Sequence, residues 1–346
     1  MTSTKNNSNE AALAEKRSGA SSVEEGTIRQ TNTLNGQLSA VAETEKEWSE
    51  AGIGNAFLFG KIMTTYPDLL LELVQFSMPE LHIRSIQHVQ KEVDIKLSLD
   101  AHGIRLDISA QDDQGRIINV EMQLRDERNV PKRMRYYSGA IDQTLLEPGI
   151  NYSSLPENVI LFITPFDPFG KSFLRYTFRY ICMEDRELEL GDGTTKVVLS
   201  AVGTEGNICE DLKGFLHLVA GGQDVMRGSF ADRVQEKVLI ARQNSKWRRE
   251  FMEWKMTLLN EREKGREEGS LLKQIDIVIK KMQKGRDLSE TAAAMEENEE
   301  VLRPIWEAVK AAAPEYDTEK ILRVLRNAGQ DHEEKVGQLD RVENPK

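Results

Sequence analysis

The sequence predicts an α/β chain, with helices flanking a sheet and a helical C-terminal region after it. Three observations predict this. The hydrophobic period changes from helical to strictly alternating over 93–124, where three short segments alternate one after another. A nearly continuous apolar run at 157–164 follows a helix-like stretch, the pattern of a strand covered on both faces. From 208 onward the remaining periodic segments read as helices.

Taken in order, Phe57, Leu58, Ile62 and Met63, then Leu70, Leu71 and Val74, recur at steps of three and four, which predicts helix over 55–76. Pro67 stands at the favoured first turn of the second half. Val93, Ile95, Leu97 and Leu99 predict a first strand. Ile104, Leu106, Ile108 and Ala110 predict a second, and Ile118, Val120, Met122 and Leu124 a third. The intervening QDDQG is a turn by composition, so the three strands form an antiparallel meander. Residues 130–146 read as a helix with Pro131 near its start. Strands follow over 157–164, 173–182 and 195–201, the last two joined by Gly191-Asp192-Gly193. Helices are expected over 208–220, 230–264, 271–283 and 288–326, with Leu288, Ala292, Met295, Val301, Ile305 and Val309 facing a core in the last.

The chain has 346 residues and a net charge of −11. The distribution matters more than the total. Residues 1–50 carry −3 and residues 290–346 carry −6, so 51–289 is close to neutral at −2. The balance therefore excludes a uniformly basic DNA binder and leaves room for a local basic patch. Residues 1–48 are poor in branched apolar side chains and are expected to be disordered. The domain reading is a core over 49–228, a long helix or linker over 229–268 that ends in the glycine-bearing EREKGREEGS, a small helical domain over 269–328 and a flexible tail over 329–346. No apolar run approaches the roughly 18–20 residues of a membrane span, and the N-terminus has no apolar signal segment. Cys182 and Cys209 form neither a CxxC pair nor a disulfide framework, which suits a cytoplasmic setting; both are expected to be buried as small hydrophobes.

Chemistry concentrates on the hairpin. On the second strand Asp107 lies on the face opposite the even-numbered apolar residues, with Arg105 and Ser109; on the third strand Glu121 and Gln123 do the same, with Asn119. An odd-numbered loop centred on Gln114 places residues whose numbers sum to 228 opposite each other, and so sets Asp107 across from Glu121. Facing residues have Cβ atoms about 4.5–5.5 Å apart. Two carboxylates at that distance repel unless a hard divalent cation lies between them. Spacing alone leaves two readings open: a cation site, or the charges of a wet sheet face.

At these residues the sequence resembles the PD-(D/E)XK nuclease family transposases, the recombination-promoting nuclease group. The resemblance is carried by Arg105-Leu106-Asp107-Ile108, by Gly115-Arg116, by Asn119-Val120-Glu121-Met122-Gln123, by Lys132-Arg133-Met134-Arg135-Tyr136-Tyr137 and by the upstream Phe57-Leu58-Phe59-Gly60. It implies a restriction-endonuclease-like core, a mixed central sheet with flanking helices, in which Asp107 and Glu121 hold Mg²⁺, or Mn²⁺ in its place. The family's usual lysine two positions after the glutamate is Gln123 here. A glutamine is neutral and acts only through hydrogen bonds, so the missing positive charge must come from metal or from nearby arginines. The resemblance also implies one further acidic residue, with Glu92 preferred over Glu72.

The stretch from Arg125 to Arg135 holds five basic residues against two acids. Arg125, Lys132, Arg133, Arg135 and Tyr137 are the expected DNA contacts, mostly to phosphates and so sequence-blind and salt-sensitive. The expected activity is Mg²⁺-dependent DNA hydrolysis with low sequence preference. Two rivals are a catalytically weakened descendant that binds DNA or protein, and an α/β interaction protein whose hairpin carboxylates are merely solvated. The acidity of 288–309 speaks against major-groove reading there and favours self-association, a homodimer through the C-terminal helices.

Overall fold

The computed structural model describes residues 39–95, 104–146 and 149–327. It divides into two compact units at Met252 and Glu253. The first unit opens with a helix over 39–50, α1. Part of that stretch is expected to be disordered, yet Trp48 is buried against Phe57 and Phe251, and its indole donates to the Arg242 carbonyl at 3.2 Å. The burial of this large aromatic side chain contributes to offsetting the ordering entropy of a polar helix.

Helices α2 (Ala56–Thr65) and α3 (Pro67–Ser77) divide the expected 55–76 segment. Asn55 caps α2 by accepting from the Phe57 and Leu58 amides, and Pro67 opens α3. The sheet follows: β1 (Ile86–Ile95), β2 (Ile104–Asp112), β3 (Ile117–Met122), β4 (Asn158–Thr164), β5 (Arg175–Phe178) and β6 (Thr194–Ser200), in the order β1-β2-β3-β4-β6-β5. The first three strands form the antiparallel meander; β3, β4 and β6 are parallel, and β5 returns antiparallel at the edge. The sheet is thus mixed, with helix α4 (Val130–Leu145) making the crossover that parallel neighbours require.

Two strands differ from expectation. β1 starts at Ile86 rather than near Val93, and its pairing shifts between Gln87 and Gln90. His88 and Glu92 both adopt positive φ, which interrupts the alternation that marks a strand in sequence. The expected Leu97 and Leu99 positions lie outside the described residues. β5 covers only four residues of the expected 173–182, with isolated bridges from Phe173 to Glu205 and from Ile181 to Glu189 on either side of it.

β3 and β4 are buried on both faces. One face carries Ile118, Val120 and Met122 beside Val159, Leu161 and Ile163. On the other, Val130, Met134, Tyr137, Ala140 and Ile141 of α4 pack on Ile160, Phe162 and Val198. Helices α5 (Glu210–Val219) and α6 (Phe230–Gln243) complete the unit. Of the cysteines, Cys182 is partly buried and Cys209 exposed, so neither is the core residue expected.

The helix expected over 230–264 is instead two. Asn244 ends α6, and its side chain accepts from the Lys246 and Trp247 amides to start α7 (Ser245–Gln283). α7 continues through Gly265 and Gly269, where the sequence suggests a break, because the surrounding Glu, Lys, Arg and Leu are strong helix formers. In the second unit α8 (Leu288–Met295), α9 (Glu299–Ala311) and a helix over 318–327, α10, enclose Ala292, Leu302, Ile305, Val309, Ile321 and Leu322 with Ile275, Val278 and Ile279. Val301, expected in this core, is 62% exposed. Leu302, Ile305 and Val309 share one helical face, and Val301 stands one residue out of phase with it.

Candidate active site

The hairpin turn sets the register. Gly115 adopts φ +82, and the three loop residues Asp113, Gln114 and Gly115 are closed by Asp112 accepting from the Gly115 amide and donating to the Arg116 carbonyl. The Asp112 carboxylate accepts from the Gln114 and Arg116 amides and from Arg116 Nε at 2.5 Å; Arg116 also donates to the Leu81 carbonyl. Both side chains are buried. The loop is therefore odd-numbered, and Gln111 faces Ile117, Ser109 faces Asn119 and Ile108 faces Val120.

At the next position the backbone ladder gives way to side chains. The Asp107 amide donates to Glu121 Oε1 at 2.9 Å, and the Met122 amide donates to Asp107 Oδ2 at 3.0 Å. Each carboxylate thus accepts from the other's strand, which fixes both at the open end of the hairpin. Asn119 Nδ2 adds a bond to Glu121 Oε1 at 3.0 Å. Asn119 is wholly buried, and its Oδ1 has no partner among the described residues. Alternation puts Asn119 on this face but gives it no role; its place two residues before Glu121 is the one sequence signal for it.

Alternation suggests a wet face here, and the finding differs: Asn119, Glu121 and Gln123 are all buried. β4 pairs with β3 on one side, placing Phe162 beside Glu121, and α4 covers the face. Burial, reinforced by the Asp107 charge, pushes the Glu121 carboxyl up to about 8. Burial also raises Asp107; the Met122 amide, Arg133 and Lys91 oppose this, and Glu92 adds to it.

Gln123 closes the site from the end of β3. Its Nε2 donates to the Arg125 carbonyl at 2.7 Å, and its Oε1 accepts from Arg133 Nη1. Arg133 Nη2 donates to the Tyr137 hydroxyl at 2.7 Å. Tyr137 is buried in the core rather than on the outer surface of α4. Arg125, Lys132 and Arg135 are exposed. The Glu92 carboxylate is paired with Lys91 at 2.8 Å, and Glu72 with Arg233. Asp113 accepts from the Arg84 and Ser85 amides, a structural role.

Among the described residues no group of three or more His, Cys, Asp or Glu is placed to hold a metal ion. What the chain brings together is one carboxylate pair, and Asp107 Oδ1 and Glu121 Oε2 take no hydrogen bond from the described residues. This donor set fits Mg²⁺, which binds through one or two carboxylates and keeps places for water and phosphate oxygen.

Residues 57–188 match the family model of the PD-(D/E)XK nuclease family transposase. The matched segment runs from α2 through the hairpin, α4 and β4 to β5, and so contains Asp107, Glu121, Gln123 and Arg133. The mixed six-stranded sheet with flanking helices is consistent with a PD-(D/E)XK nuclease-like α/β fold. The family points to a nuclease- or transposase-like function. Neither a curated protein nor a solved structure matches the chain. Among the described residues no helix is long and apolar enough to cross a membrane.

Proposed function

We propose that this protein is a Mg²⁺-dependent DNA endonuclease of low sequence specificity, recombination-promoting or transposase-like in its use. The observation that carries the reading is the Asp107–Glu121 pair: two carboxylates 14 residues apart, bonded to each other's strands, Glu121 buried and Asp107 half-buried, at a cost that a divalent cation removes. A bound divalent ion, Mg²⁺ or Mn²⁺, supplies Lewis acidity and a water of lowered pKa. Asp107 and Glu121 hold it, Asn119 orients Glu121, and Gln123 fixes the end of β3 through its two side-chain bonds. Glu92, on the strand next to Asp107, adds negative charge at the rim. The exposed Arg125, Lys132 and Arg135 contact the phosphates on either side, which gives affinity without base reading. Self-association through the C-terminal helices belongs to the same reading and rests on the exposed Val301 and Val324. The free thiols of Cys182 and Cys209 suit a cytoplasmic enzyme.

The test is cleavage of supercoiled plasmid with and without Mg²⁺ by the wild type, Asp107→Ala and Glu121→Ala. Metal-dependent nicking by the wild type alone supports the reading; equal nicking by all three identifies a contaminant. One observation favours a second reading, a weakened nuclease that only binds DNA or protein: Gln123 is neutral and both ends of its amide are engaged. Mg²⁺-dependent DNA retention with no product under Mg²⁺ or Mn²⁺ would select it.

A further inference from the structure

Of the five basic residues between 125 and 135, Arg133 alone turns inward; Arg125, Arg128, Lys132 and Arg135 are exposed. The reason is local. Arg133 sits one turn before the buried Tyr137, whose ring is held in the α4 core and whose hydroxyl takes Nη2. Gln123 Oε1 takes Nη1, and the guanidinium carbon lies 5.4 Å from the Tyr137 ring centroid and 5.7 Å from that of Phe162. Phe162 is the β4 partner of Glu121. A planar cation held by two acceptors and lying over two rings has lost the freedom of a surface arginine. Its charge reaches both carboxylates, opposing the rise in their proton affinity.

We propose that Arg133 is a catalytic residue that contacts the scissile phosphate, supplying from α4 the positive charge that Gln123 lacks, with Gln123 and Tyr137 as its positioning residues. This rests on the nuclease reading and deepens it. Hydrolysis forms a P–O bond to the oxygen of water and breaks the P–O bond to the leaving sugar oxygen. The water's proton passes to solvent and the leaving oxygen takes one from solvent. Arg133 keeps its protons throughout and meets the charge that grows on the non-bridging oxygens. The fork of an arginine suits a phosphate in this role, and a preorganised donor at such a site is worth about 10²–10³ in rate.

Plasmid cleavage at saturating Mg²⁺ by the full chain tests this, comparing the wild type, Arg133→Met, Gln123→Lys and the double variant. Arg133→Met is expected to lose about 10²–10³ in kcat with KM for DNA nearly unchanged, and to keep the rise in melting temperature caused by Mg²⁺. In that background Gln123→Lys is expected to restore at least about tenfold, because it returns a cation to the end of β3. Cleavage by Arg133→Met close to wild type overturns the inference and leaves the nuclease reading intact. A raised KM with unchanged kcat also overturns it, since that marks an ordinary backbone contact. Absence of rescue in a folded, Mg²⁺-responsive double variant overturns it as well. A wild type inactive with every divalent metal overturns both readings together. If Arg133→Met fails to fold, Arg133→Lys takes its place: retained charge without the fork should keep part of kcat, and full activity loss would overturn the inference.

Discussion

Glu121→Gln should make the metal-free protein more stable and the enzyme inactive. The wild-type carboxyl has its ordinary value near 4.5 when unfolded and about 8 when folded. The folded state therefore favours the protonated form. This group's stabilising contribution is whole below about pH 4.5 and is lost as pH rises through about 8. With about 1.4 kcal/mol per unit, the loss across that window is on the order of 3–5 kcal/mol. Glutamine has no proton to lose, and its carbonyl still accepts from the Asp107 amide and Asn119. The variant should match the wild type near pH 4.5 and exceed it by that amount at pH 9, with a small remaining slope from Asp107, whose carboxyl is also raised. The assay is urea unfolding in a chelator at pH 4.5, 7 and 9, followed by hydrogen exchange of the 117–122 peptide so that the sheet alone is read. Added Mg²⁺ should return the missing stability to the wild type at pH 9 and give the variant none. Unfolding midpoints that run parallel across the whole pH range would refute the reasoning, since they would mean that the carboxyl pays no desolvation cost.

Further outcomes follow from other contacts. Arg116→Met strands the buried Asp112 carboxylate beneath the hairpin turn and should cost about 3–5 kcal/mol by thermal unfolding. Asn119→Leu removes a donor to Glu121 and should weaken Mg²⁺ affinity about 10–100-fold, read by calorimetry. Lys132→Ala and Arg135→Ala should each lower the salt slope of DNA binding by about one and weaken all sequences alike. Gly265→Ala and Gly269→Ala, in an exposed helix with open space at each Cβ, should stabilise α7 by about 0.5–1 kcal/mol each, seen as slower local hydrogen exchange.

Much of the site was legible because its logic is local. Alternation fixed which residues of β2 and β3 share a face, and the turn composition allowed the odd-numbered loop that pairs Asp107 with Glu121. The continuous run of β4 announced burial on both faces. What alternation could not supply was the cover. A strand with Asn119, Glu121 and Gln123 on one face reads as half wet until α4 is laid across it, and that placement depends on the parallel pairing of β3 with β4. The start of β1 was hidden for a different reason. His88 and Glu92 at positive φ break the period of two, and no side-chain pattern marks a backbone irregularity. Arg133 illustrates the limit on charge runs: its four-residue spacing to Tyr137 was visible, whereas its inward turn follows from the burial of that tyrosine.

The dual pairing of β3 also bears on how the chain folds. β2 and β3 are joined by a three-residue loop, so the hairpin can close early and at little entropic cost. At that stage the Asp107 and Glu121 carboxylates still face water. They lose it only when α4 and β4, which come later in the chain, dock onto β3. The electrostatic penalty therefore falls on this late step. The barrier to sheet completion should rise as pH climbs from about 4.5 to about 8 and level off beyond, and Mg²⁺ should speed refolding at the upper end by binding the hairpin before its cover arrives.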